Sequence, residues 1–500
     1  MTKNYKICWL LLAIIALGSF LRVYQLNKQS YWMDEGYTVN AVISAAHNGY
    51  DRGSSILDSG GRYFCPLYCY PTEIITRIAG DNTWSYRTLA VLAGIFFIFL
   101  VYLITKVIFK NNKAALLAAG FTSFSYWQIA WSRQARWYTL LEVFFWAALL
   151  LFYLFLKAKN KKQKIISLLL SLFFTILAIA THKLAYLLPL IMLGGYFILN
   201  RPTKKQALIS IIAAGGVIAF VEFGLGLHFI THALKNISFH YNLPYYLSFY
   251  LRNYWLFIAL AIYGYFASEK EQKQKIIFLA LPFLVYLVFL SFLTNIIHYR
   301  YLFPLTAALY IIASIVIIDI SGKIRQNYGK IIGLFLLILV FFISRQGVIF
   351  PKDYYFLEAD DPSELSRPYY AYTPQPDFNA AYAAIKGNLK SEEIVISSHP
   401  HFNKIFLNQP GDWIKYDYLG MEDTPKTIKD NKEYYVGATV INNLEELKKI
   451  TATKHGYLVF DYMAADDKIK PEIISYIQNN LELFFFNEKN SYSKIWVYRF

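Results

Sequence analysis

Acidic side chains are scarce in the first two-thirds of this sequence. Residues 1–348 hold 11 Asp and Glu against 32 Lys and Arg, and six of the 11 acids lie between Asp34 and Asp81. Residues 349–500 differ, with 22 acidic and 17 basic side chains. Because hydrophobic residues make up 56% of the chain, this scarcity of charge excludes a soluble enzyme and indicates a membrane protein.

Cysteine is also nearly absent, with three residues in the chain. Cys8 lies in the first apolar segment, where it is expected to act as a small apolar side chain. Cys65 and Cys69 share one loop, where a disulfide is allowed but not required. Residues 349–500 contain no cysteine and no glycine-rich phosphate loop. We therefore expect this region to fold without disulfides.

Apolar runs close to the ~20 residues needed to cross a bilayer recur throughout residues 1–348. Eleven spans fit the sequence, at residues 7–24, 86–105, 114–131, 138–156, 165–180, 186–199, 207–227, 247–266, 276–293, 302–319 and 331–348. Short basic clusters fall between them on one side, which the positive-inside rule makes cytoplasmic. The excess of positive charge therefore indicates membrane topology and not nucleic-acid binding. The predicted protein is a multi-pass protein of the cytoplasmic membrane with a cytoplasmic N-terminus.

The pattern changes after residue 348. Strands are predicted at residues 393–398, 456–461, 483–486 and 494–500, and helices at 443–450 and 471–480. Strands that alternate with helices indicate an α/β domain. We predict a transmembrane catalytic domain over residues 1–348 and an extracytoplasmic α/β accessory domain over residues 349–500. The first includes an outer loop, residues 25–85, with short amphipathic helices at 35–47 and 71–78.

Two adjacent carboxylates, Asp34 and Glu35, follow the first apolar segment and have aromatic residues on both sides. Transfer of a sugar to a hydroxyl needs a base for the acceptor proton, and a departing phosphate needs fixed cations. Asp34 or Glu35 can supply the base. A helix N-terminus, where acids favour the dipole, is a second interpretation that is compatible with the first. The cationic candidates on the same predicted side are Arg133, Arg136, His182, Lys183, His298 and Arg300.

Each of these basic residues has a simpler interpretation. Arg133 and Arg136 can extend to lipid headgroups from a helix end, and Arg300 or the pair His182-Lys183 can act as interfacial anchors. A metal site is a further alternative, because a His-x-x-x-His pair on one helical face has ligand spacing. The three weak candidates for a divalent metal site are Glu222, His228 and His232.

Four motifs, taken in order, resemble the protein O-mannosyltransferases and lipid A aminoarabinose transferases (glycosyltransferase family 39-like). These proteins belong to the C-type glycosyltransferase superfamily, GT-C, and use polyprenyl-phosphate sugars. The first motif is the Asp-Glu pair after an apolar helix. The others are Phe64-Cys65-Pro66-Leu67-Tyr68, which resembles a Pro-Pro-Leu-Tyr loop motif, Ser132-Arg133-Gln134-Ala135-Arg136-Trp137-Tyr138, and His298-Tyr299-Arg300-Tyr301-Leu302-Phe303-Pro304.

The resemblance implies an inverting glycosyltransferase with a polytopic α-helical membrane fold and a C-terminal extracytoplasmic α/β domain. It implies a polyprenyl-phosphate sugar donor and an acceptor hydroxyl on a lipid, a glycan or a protein, at the outer face of the membrane. On this reading Asp34 is the general base, and Glu35 supports the site. Arg136 and Arg300 hold the lipid phosphate, with Tyr301 nearby.

The acceptor side is less defined. Arg62, Tyr63 and Tyr68 belong to the loop that helps to shape it in the family. Arg62 and Tyr63 depart from the pattern of the aminoarabinose branch, which has an acidic or basic residue directly before its Pro-Pro-Leu-Tyr motif. The resemblance therefore leaves the acceptor class and the sugar open.

Two other classes of protein share part of this pattern. A lipid or sugar transporter or flippase also has many spans, but transporters place ionisable groups near the bilayer midplane and often have related halves. Glu142 is the one acid well inside a predicted span, and the sequence shows no internal repeat. A catalytically silent sugar-binding protein is the third alternative, although residues 349–500 show no site for a sugar.

Overall fold

The structure is a computed structural model, and everything below concerns the residues that it describes. These are residues 2–48, 65–200, 202–220, 223, 239–294, 298–323, 326–343, 346–348, 350–352, 376–415, 428–433, 436–467, 469–488 and 493–500. Helices dominate up to residue 343, and a mixed β-sheet with helices follows from residue 378. The predicted combination of a helical membrane part and a C-terminal α/β domain is confirmed.

The helical part consists of helices of very different lengths. Its α-helices are Thr2–Val23, Met33–Asn48, Pro66–Ala79, Thr83–Phe109, Asn112–Phe124, Tyr126–Ser132, Tyr138–Lys157, Lys161–Thr181, Leu188–Asn200, Lys204–Ala219, Leu243–Ala267, Lys270–Phe292, Ala307–Lys323 and Gln326–Ile343. Short 3₁₀ helices occupy Lys183–Leu187, Tyr299–Tyr301 and Phe303–Leu305. In the described part of the chain, six helices are long and apolar enough to cross a membrane: Tyr5–Val23, Thr83–Phe109, Tyr138–Lys157, Lys161–Thr181, Lys270–Phe292 and Phe303–Lys323.

Helical residues lie at each of the eleven predicted spans, but one of these spans is broken. The helix that ends at Phe124 and the helix that begins at Tyr126 meet at Ser125, which has an extended backbone. The Tyr126 amide donates to the Gln346 carbonyl at 2.6 Å, and the Val348 amide donates to the Phe124 carbonyl at 2.8 Å. Extended backbone is tolerated at membrane depth only where its polar groups are satisfied inside the protein. After the break, the short helix Tyr126–Ser132 leads into the loop that carries Arg133 and Arg136.

Two helices that follow the first span match the predicted amphipathic segments. Met33–Asn48 carries Asp34 and Glu35 in its first turn. Pro66–Ala79 packs beside it, and its start is closed by a disulfide between Cys65 and Cys69. The disulfide that the sequence left open is therefore present in the structure.

The C-terminal domain is built on an eight-stranded sheet within the described residues. Its strands are β1 (Ile394–Ser397), β2 (Asp412–Ile414), β3 (Ile428–Lys429), β4 (Lys432–Glu433), β5 (Thr439–Ile441), β6 (Gly456–Asp461), β7 (Glu482–Asn487) and β8 (Ile495–Arg499). Their order is β3-β4-β5-β2-β1-β6-β8-β7, with parallel pairing from β5 through β6 and antiparallel pairing at both edges. The associated helices are Phe378–Lys386, Pro400–Leu407, Leu444–Thr453, Tyr462–Asp467 and Pro471–Asn480.

A shared hydrophobic core joins the two parts of the chain. Tyr31 and Val39, from the Asp34 region, belong to the same buried cluster as Phe378, Tyr382 and Phe402 of the C-terminal domain. A second cluster lies inside the helical part, and a third lies within the sheet domain. The C-terminal domain therefore packs directly on the helix Met33–Asn48, which carries Asp34.

Candidate active site

Asp34 lies between two arginines that come from distant parts of the chain. Arg300 Nη1 is 2.8 Å from Asp34 Oδ2, and Arg136 Nη2 is 3.4 Å from the same oxygen. The carboxylate is also in the first turn of its helix, where a negative charge interacts favourably with the helix dipole. About one-sixth of the side chain is exposed, at 16%. The fold thus brings three of the predicted site residues into one partly open cluster.

Arg136 is fixed to the same turn by its backbone contacts. Its Nη1 donates to the Asp34 carbonyl at 2.9 Å and to Thr38 Oγ1 at 2.9 Å. Its guanidinium also lies over the rings of Trp137, at 4.1 Å, and Tyr138, at 5.7 Å. Cation–π contacts of this kind hold a guanidinium in one orientation while leaving its charge available.

Arg300 belongs to the 3₁₀ turn Tyr299–Tyr301. Tyr299 is fully buried and stacks on Tyr245 and Phe249, with ring centroids 4.3 and 4.1 Å apart. This stacking fixes the turn and therefore the direction of the arginine side chain. The guanidinium of Arg300 lies 5.8 Å from the centre of the Trp32 ring.

The charges around Asp34 determine its protonation. Burial by itself would raise the pKa of the carboxyl group, because it disfavours the charged form. The nearby charge of Arg300, followed by those of Arg136 and His298, outweighs burial and holds the pKa below its ordinary value of 3.8. Asp34 is therefore ionised near neutral pH and can accept a proton.

Glu35 points the other way and forms a buried ion pair. Its Oε1 is 2.6 Å from Arg87 Nε, its Oε2 is 2.8 Å from Arg87 Nη2, and both side chains are fully buried. The Ala135 amide also donates to Glu35 Oε1, at 2.7 Å. Such a bidentate pair fixes geometry. Glu35 therefore ties the Asp34 turn to the segment that carries Arg136, whereas Asp34 itself remains partly accessible.

Arg133 lies away from the carboxylate cluster. It is fully buried, and its Nη1 donates to the carbonyls of Arg22 at 3.0 Å and Tyr24 at 2.6 Å. These carbonyls end the first helix, where a cation is favourable. The structure therefore places Arg133 at the end of the first span and not beside Asp34.

Aromatic rings and histidines form a wall next to the two site arginines. The ring centroids of His298 and Tyr301 are 5.6 Å apart, those of Tyr301 and His182 are 5.5 Å apart, and those of His182 and Tyr138 are 5.8 Å apart. His182 Nδ1 accepts a hydrogen bond from the Leu184 amide at 3.2 Å. Lys183 begins the same turn, but its side chain lies outside what the structure describes.

The acceptor-side and metal predictions are only partly covered by the described residues. Tyr68 is buried, donates to the Tyr86 carbonyl at 2.8 Å, and shares a hydrophobic cluster with Val39 of the helix that carries Asp34. The residues of these two predictions that lie outside the described part are Arg62, Tyr63, Glu222, His228 and His232. Within the described part, no group of three His, Cys, Asp or Glu side chains has the arrangement of a metal site.

Comparisons with known proteins agree with this architecture. The sequence profile of the dolichyl-phosphate-mannose-protein mannosyltransferase family matches residues 65–225, a segment that includes Arg136 but neither Asp34 nor Arg300. The structure of ArnT from Cupriavidus metallidurans bound to undecaprenyl phosphate is similar, with a TM-score of 0.61 and 11% identity over 98% of this chain and 97% of that one. This chain shares the fold of that ArnT structure, and its residues 65–225 are similar to the mannosyltransferase family.

A second solved structure is similar over most of the chain. It is the oligosaccharyltransferase AglB from Archaeoglobus fulgidus in complex with an inhibitory peptide and a dolichol-phosphate, with a TM-score of 0.57 and 12% identity. The match covers 92% of this chain and 70% of that one. A search of curated proteins by sequence finds no match. The predicted resemblance to this group of membrane glycosyltransferases is confirmed by the similar fold and by the family match over residues 65–225.

Two residues of this candidate site were not predicted from the sequence. Arg87 lies near the start of an apolar helix, and its pairing with Glu35 spans 52 positions. Thr38 is one helical turn after Asp34, and its hydroxyl accepts from Arg136. An arginine inside an otherwise apolar span is the available signal for the first, because charges at such positions need a partner. For Thr38, the only available signal is its position four residues after Asp34, which places the two side chains on the same face of a helix.

Proposed function

We propose that this chain is an inverting glycosyltransferase of the cytoplasmic membrane. It moves a sugar from a polyprenyl-phosphate donor to an acceptor hydroxyl on a lipid, a glycan or a protein. The observation that carries the proposal is the single Asp34 oxygen that contacts both Arg136 and Arg300. A base beside two cations suits a reaction in which a proton is taken and a phosphate departs.

In the proposed reaction, the Asp34 carboxylate takes the proton of the acceptor hydroxyl. The acceptor oxygen then bonds to the anomeric carbon from the face opposite the phosphate, and the bond between that carbon and the phosphate oxygen breaks. Polyprenyl phosphate leaves with the bonding electrons. Arg300 and Arg136 stabilise its charge, and His182, His298 and Tyr301 belong to the surrounding wall. Lys183, which follows His182 in the chain, is proposed as a further cation for the phosphate.

Donor binding also changes the strength of the base. Arg300 bonds the carboxylate of Asp34, whereas Arg136 bonds the Asp34 carbonyl and approaches the carboxylate. A phosphate that draws the positive charge of Arg300 away from Asp34 weakens the influence that lowers the carboxyl pKa. The carboxylate then becomes a stronger base when the donor is in place. Such a coupling suits a transferase, because Asp34 then removes the acceptor proton efficiently only after the donor has bound.

Charge distribution and the similar structures support the rest of the proposal. The basic loops indicate a cytoplasmic N-terminus, so Asp34 and the C-terminal domain are proposed to face outward. ArnT binds undecaprenyl phosphate and AglB binds a dolichol-phosphate in the structures that this chain resembles. These two bound lipids support a polyprenyl-phosphate donor for this chain. We further propose that residues 1–348 form the catalytic domain and residues 349–500 a separate domain.

The test uses the purified full-length protein in detergent with a radiolabelled polyprenyl-phosphate sugar. Release of polyprenyl phosphate and labelled product is expected from the wild type and is expected to disappear in Asp34→Asn. Asp81→Asn is the matched control, because Asp81 is an exposed aspartate that bonds only the Tyr86 hydroxyl in the described structure. Turnover by Asp34→Asn at the wild-type rate would contradict the mechanism. A transporter would release no polyprenyl phosphate in detergent.

A further inference from the structure

The C-terminal domain touches the Asp34 turn through two rings of the helix Pro400–Leu407. The rings of His401 and Tyr37 lie 4.2 Å apart at an angle of 32°. Gly36 makes the approach possible: a Cβ atom at this position would fall 2.6 Å from His401 Cδ2 and 2.8 Å from Phe402 Cε1. These distances are too short for any side chain. Both rings therefore rest on the backbone two residues after Asp34.

His401 is backed by a rigid part of the sheet domain. It lies in the helix that follows β1. In the sheet, β2 and β5 lie on one side of β1, and β6 lies on the other side. His399 Nε2 is 3.2 Å from Asp461 Oδ1 at the end of β6, and the rings of His399 and His401 are 5.6 Å apart. The neighbouring Phe402 stacks on Phe378 at 4.0 Å. His401 is thus held by the sheet domain and contacts the helix Met33–Asn48 at Gly36 and Tyr37.

The contact made by His401 is one of packing. Its side chain is buried, with 1% of the residue exposed, and its Nε2 has no hydrogen-bond partner among the residues that the structure describes. A ring without a polar partner can act on Gly36 and Tyr37 only through its shape and its stacking. A ring of similar size without nitrogen is therefore expected to serve equally well.

The opposite side of the Asp34 turn is held by the membrane part. Glu35 is bound to Arg87 and to the Ala135 amide, and Arg136 bonds both the Asp34 carbonyl and Thr38. The first turn of a helix lacks intrahelical partners for its amides and frays easily. A glycine in that turn weakens it further. The turn therefore depends on restraint from both sides.

We propose that His401 is a positioning residue that presses the Asp34 turn against Arg136 and Arg87. This inference rests on the proposed transferase function, because it assigns to the C-terminal domain a part in the geometry of the base. Asp34 must stay at a fixed distance from Arg300 and from the acceptor, and small displacements of a catalytic group reduce the rate strongly. The C-terminal domain is then a component of the active site and not an accessory module.

The kinetic test compares three variants of the full-length protein. His401→Ala is expected to lower kcat by roughly 10- to 100-fold, with little change in KM for the lipid donor, because the donor phosphate is held by other residues. His401→Phe is expected to keep kcat within about threefold of wild type, because the ring is retained. His455→Ala is the matched control, since His455 is exposed on the same domain, and it is expected to behave as wild type.

Hydrogen exchange gives a second readout that does not depend on activity. In His401→Ala, the amides of residues 35–39 are expected to exchange faster, while those of the helix Leu444–Thr453 keep their wild-type protection. Faster exchange in both places would mean general unfolding and would overturn the proposal, as would wild-type exchange at residues 35–39. If the wild type transfers no sugar, the proposed function fails, and the exchange result still decides whether His401 restrains the turn.

Discussion

Arg136 donates to the backbone carbonyl of Asp34 at 2.9 Å and approaches the carboxylate of the same residue at 3.4 Å. One guanidinium therefore fixes both the backbone and the side chain of the proposed base. Arg300 reaches the carboxylate with its Nη1, at 2.8 Å. The two arginines have the same charge but different geometric roles.

This difference predicts unequal effects of the same substitution. Arg136→Lys removes the planar guanidinium, whose nitrogens contact the Asp34 carbonyl, Thr38 and the Asp34 carboxylate. A lysine ammonium cannot make these contacts in the same geometry. We expect kcat to fall by roughly 100- to 1,000-fold, the range for loss of one preorganised charge contact. Arg300→Lys keeps a charge next to the carboxylate and is expected to cost about tenfold. Steady-state rates with a saturating labelled donor measure both, and equal losses would contradict the assigned roles.

A second prediction concerns the pH dependence of the reaction. Asp34 must be ionised to accept a proton, so the rate falls as pH drops through its pKa, which lies below 3.8 in the free protein. Arg300→Gln removes the largest influence that lowers this pKa and leaves burial, which raises it. The acid limb of the kcat/KM profile, which reports the free enzyme, is expected to move to higher pH.

The profile is measured between pH 4 and 8, with Arg77→Gln as the control. Arg77 is exposed and pairs with Glu73 within the helix Pro66–Ala79, so its loss should leave the acid limb in place. An unchanged limb in Arg300→Gln would show that the Asp34 pKa does not depend on Arg300.

The buried pair of Glu35 and Arg87 makes a prediction about stability. Glu35→Gln leaves the Arg87 guanidinium buried without a counter-charge, which costs about 3–5 kcal/mol when one partner of such a pair is lost. Thermal unfolding in detergent is expected to begin at a clearly lower temperature. Glu73→Gln removes a partner from the pair with Arg77, whose side chain is 67% exposed, and is expected to cost about 1 kcal/mol or less. Similar midpoints for the two variants would contradict the structural role of Glu35.

His401 links stability to pH. Burial, followed by the charge of His399, holds the pKa of His401 well below its usual 6.5. The neutral ring therefore favours the folded state fully above pH 6.5, and this contribution declines as the pH falls from 6.5 toward the lowered pKa. Besides His399, with Asp461 behind it, the ring faces Gly36, Tyr37 and Phe402. The unfolding midpoint of wild type is expected to fall more steeply between pH 7 and 5 than that of His401→Phe, and parallel curves would refute this link.

Much of the site was predictable because its residues occur in short linear motifs. Asp34, Arg136 and Arg300 each lie next to an apolar helix and on the same predicted side, so their proximity followed from topology. Arg133 lies in the same motif as Arg136, three residues earlier. Its side chain nevertheless points to the end of the first helix and not to Asp34. Its partners are the backbone carbonyls of Leu21, Arg22, Tyr24 and Gln25, which carry no recognisable signal in the sequence.

The parts of the fold that were missed depend on distant contacts. The helix Phe378–Lys386 was not predicted, and neither was Pro400–Leu407. Both are short and pack through Phe378 and Phe402 into the core shared with the helix that carries Asp34. Strands β2 to β5 have two or three residues each, which is too few to show an alternating pattern. Pairing with neighbouring strands defines them, and that information is absent from any local window.

The bond between Cys65 and Cys69 gives the Asp34 face of the protein a chemical marker of its compartment. Glutathione and thioredoxin keep cytosolic thiols reduced, whereas disulfides persist in the periplasm and outside the cell. The bond closes the start of the helix Pro66–Ala79, which packs beside the helix that carries the proposed base. Whole cells treated with a maleimide before and after a mild reductant therefore report the side on which sugar transfer would occur. Labelling that requires prior reduction marks that side as oxidising and external.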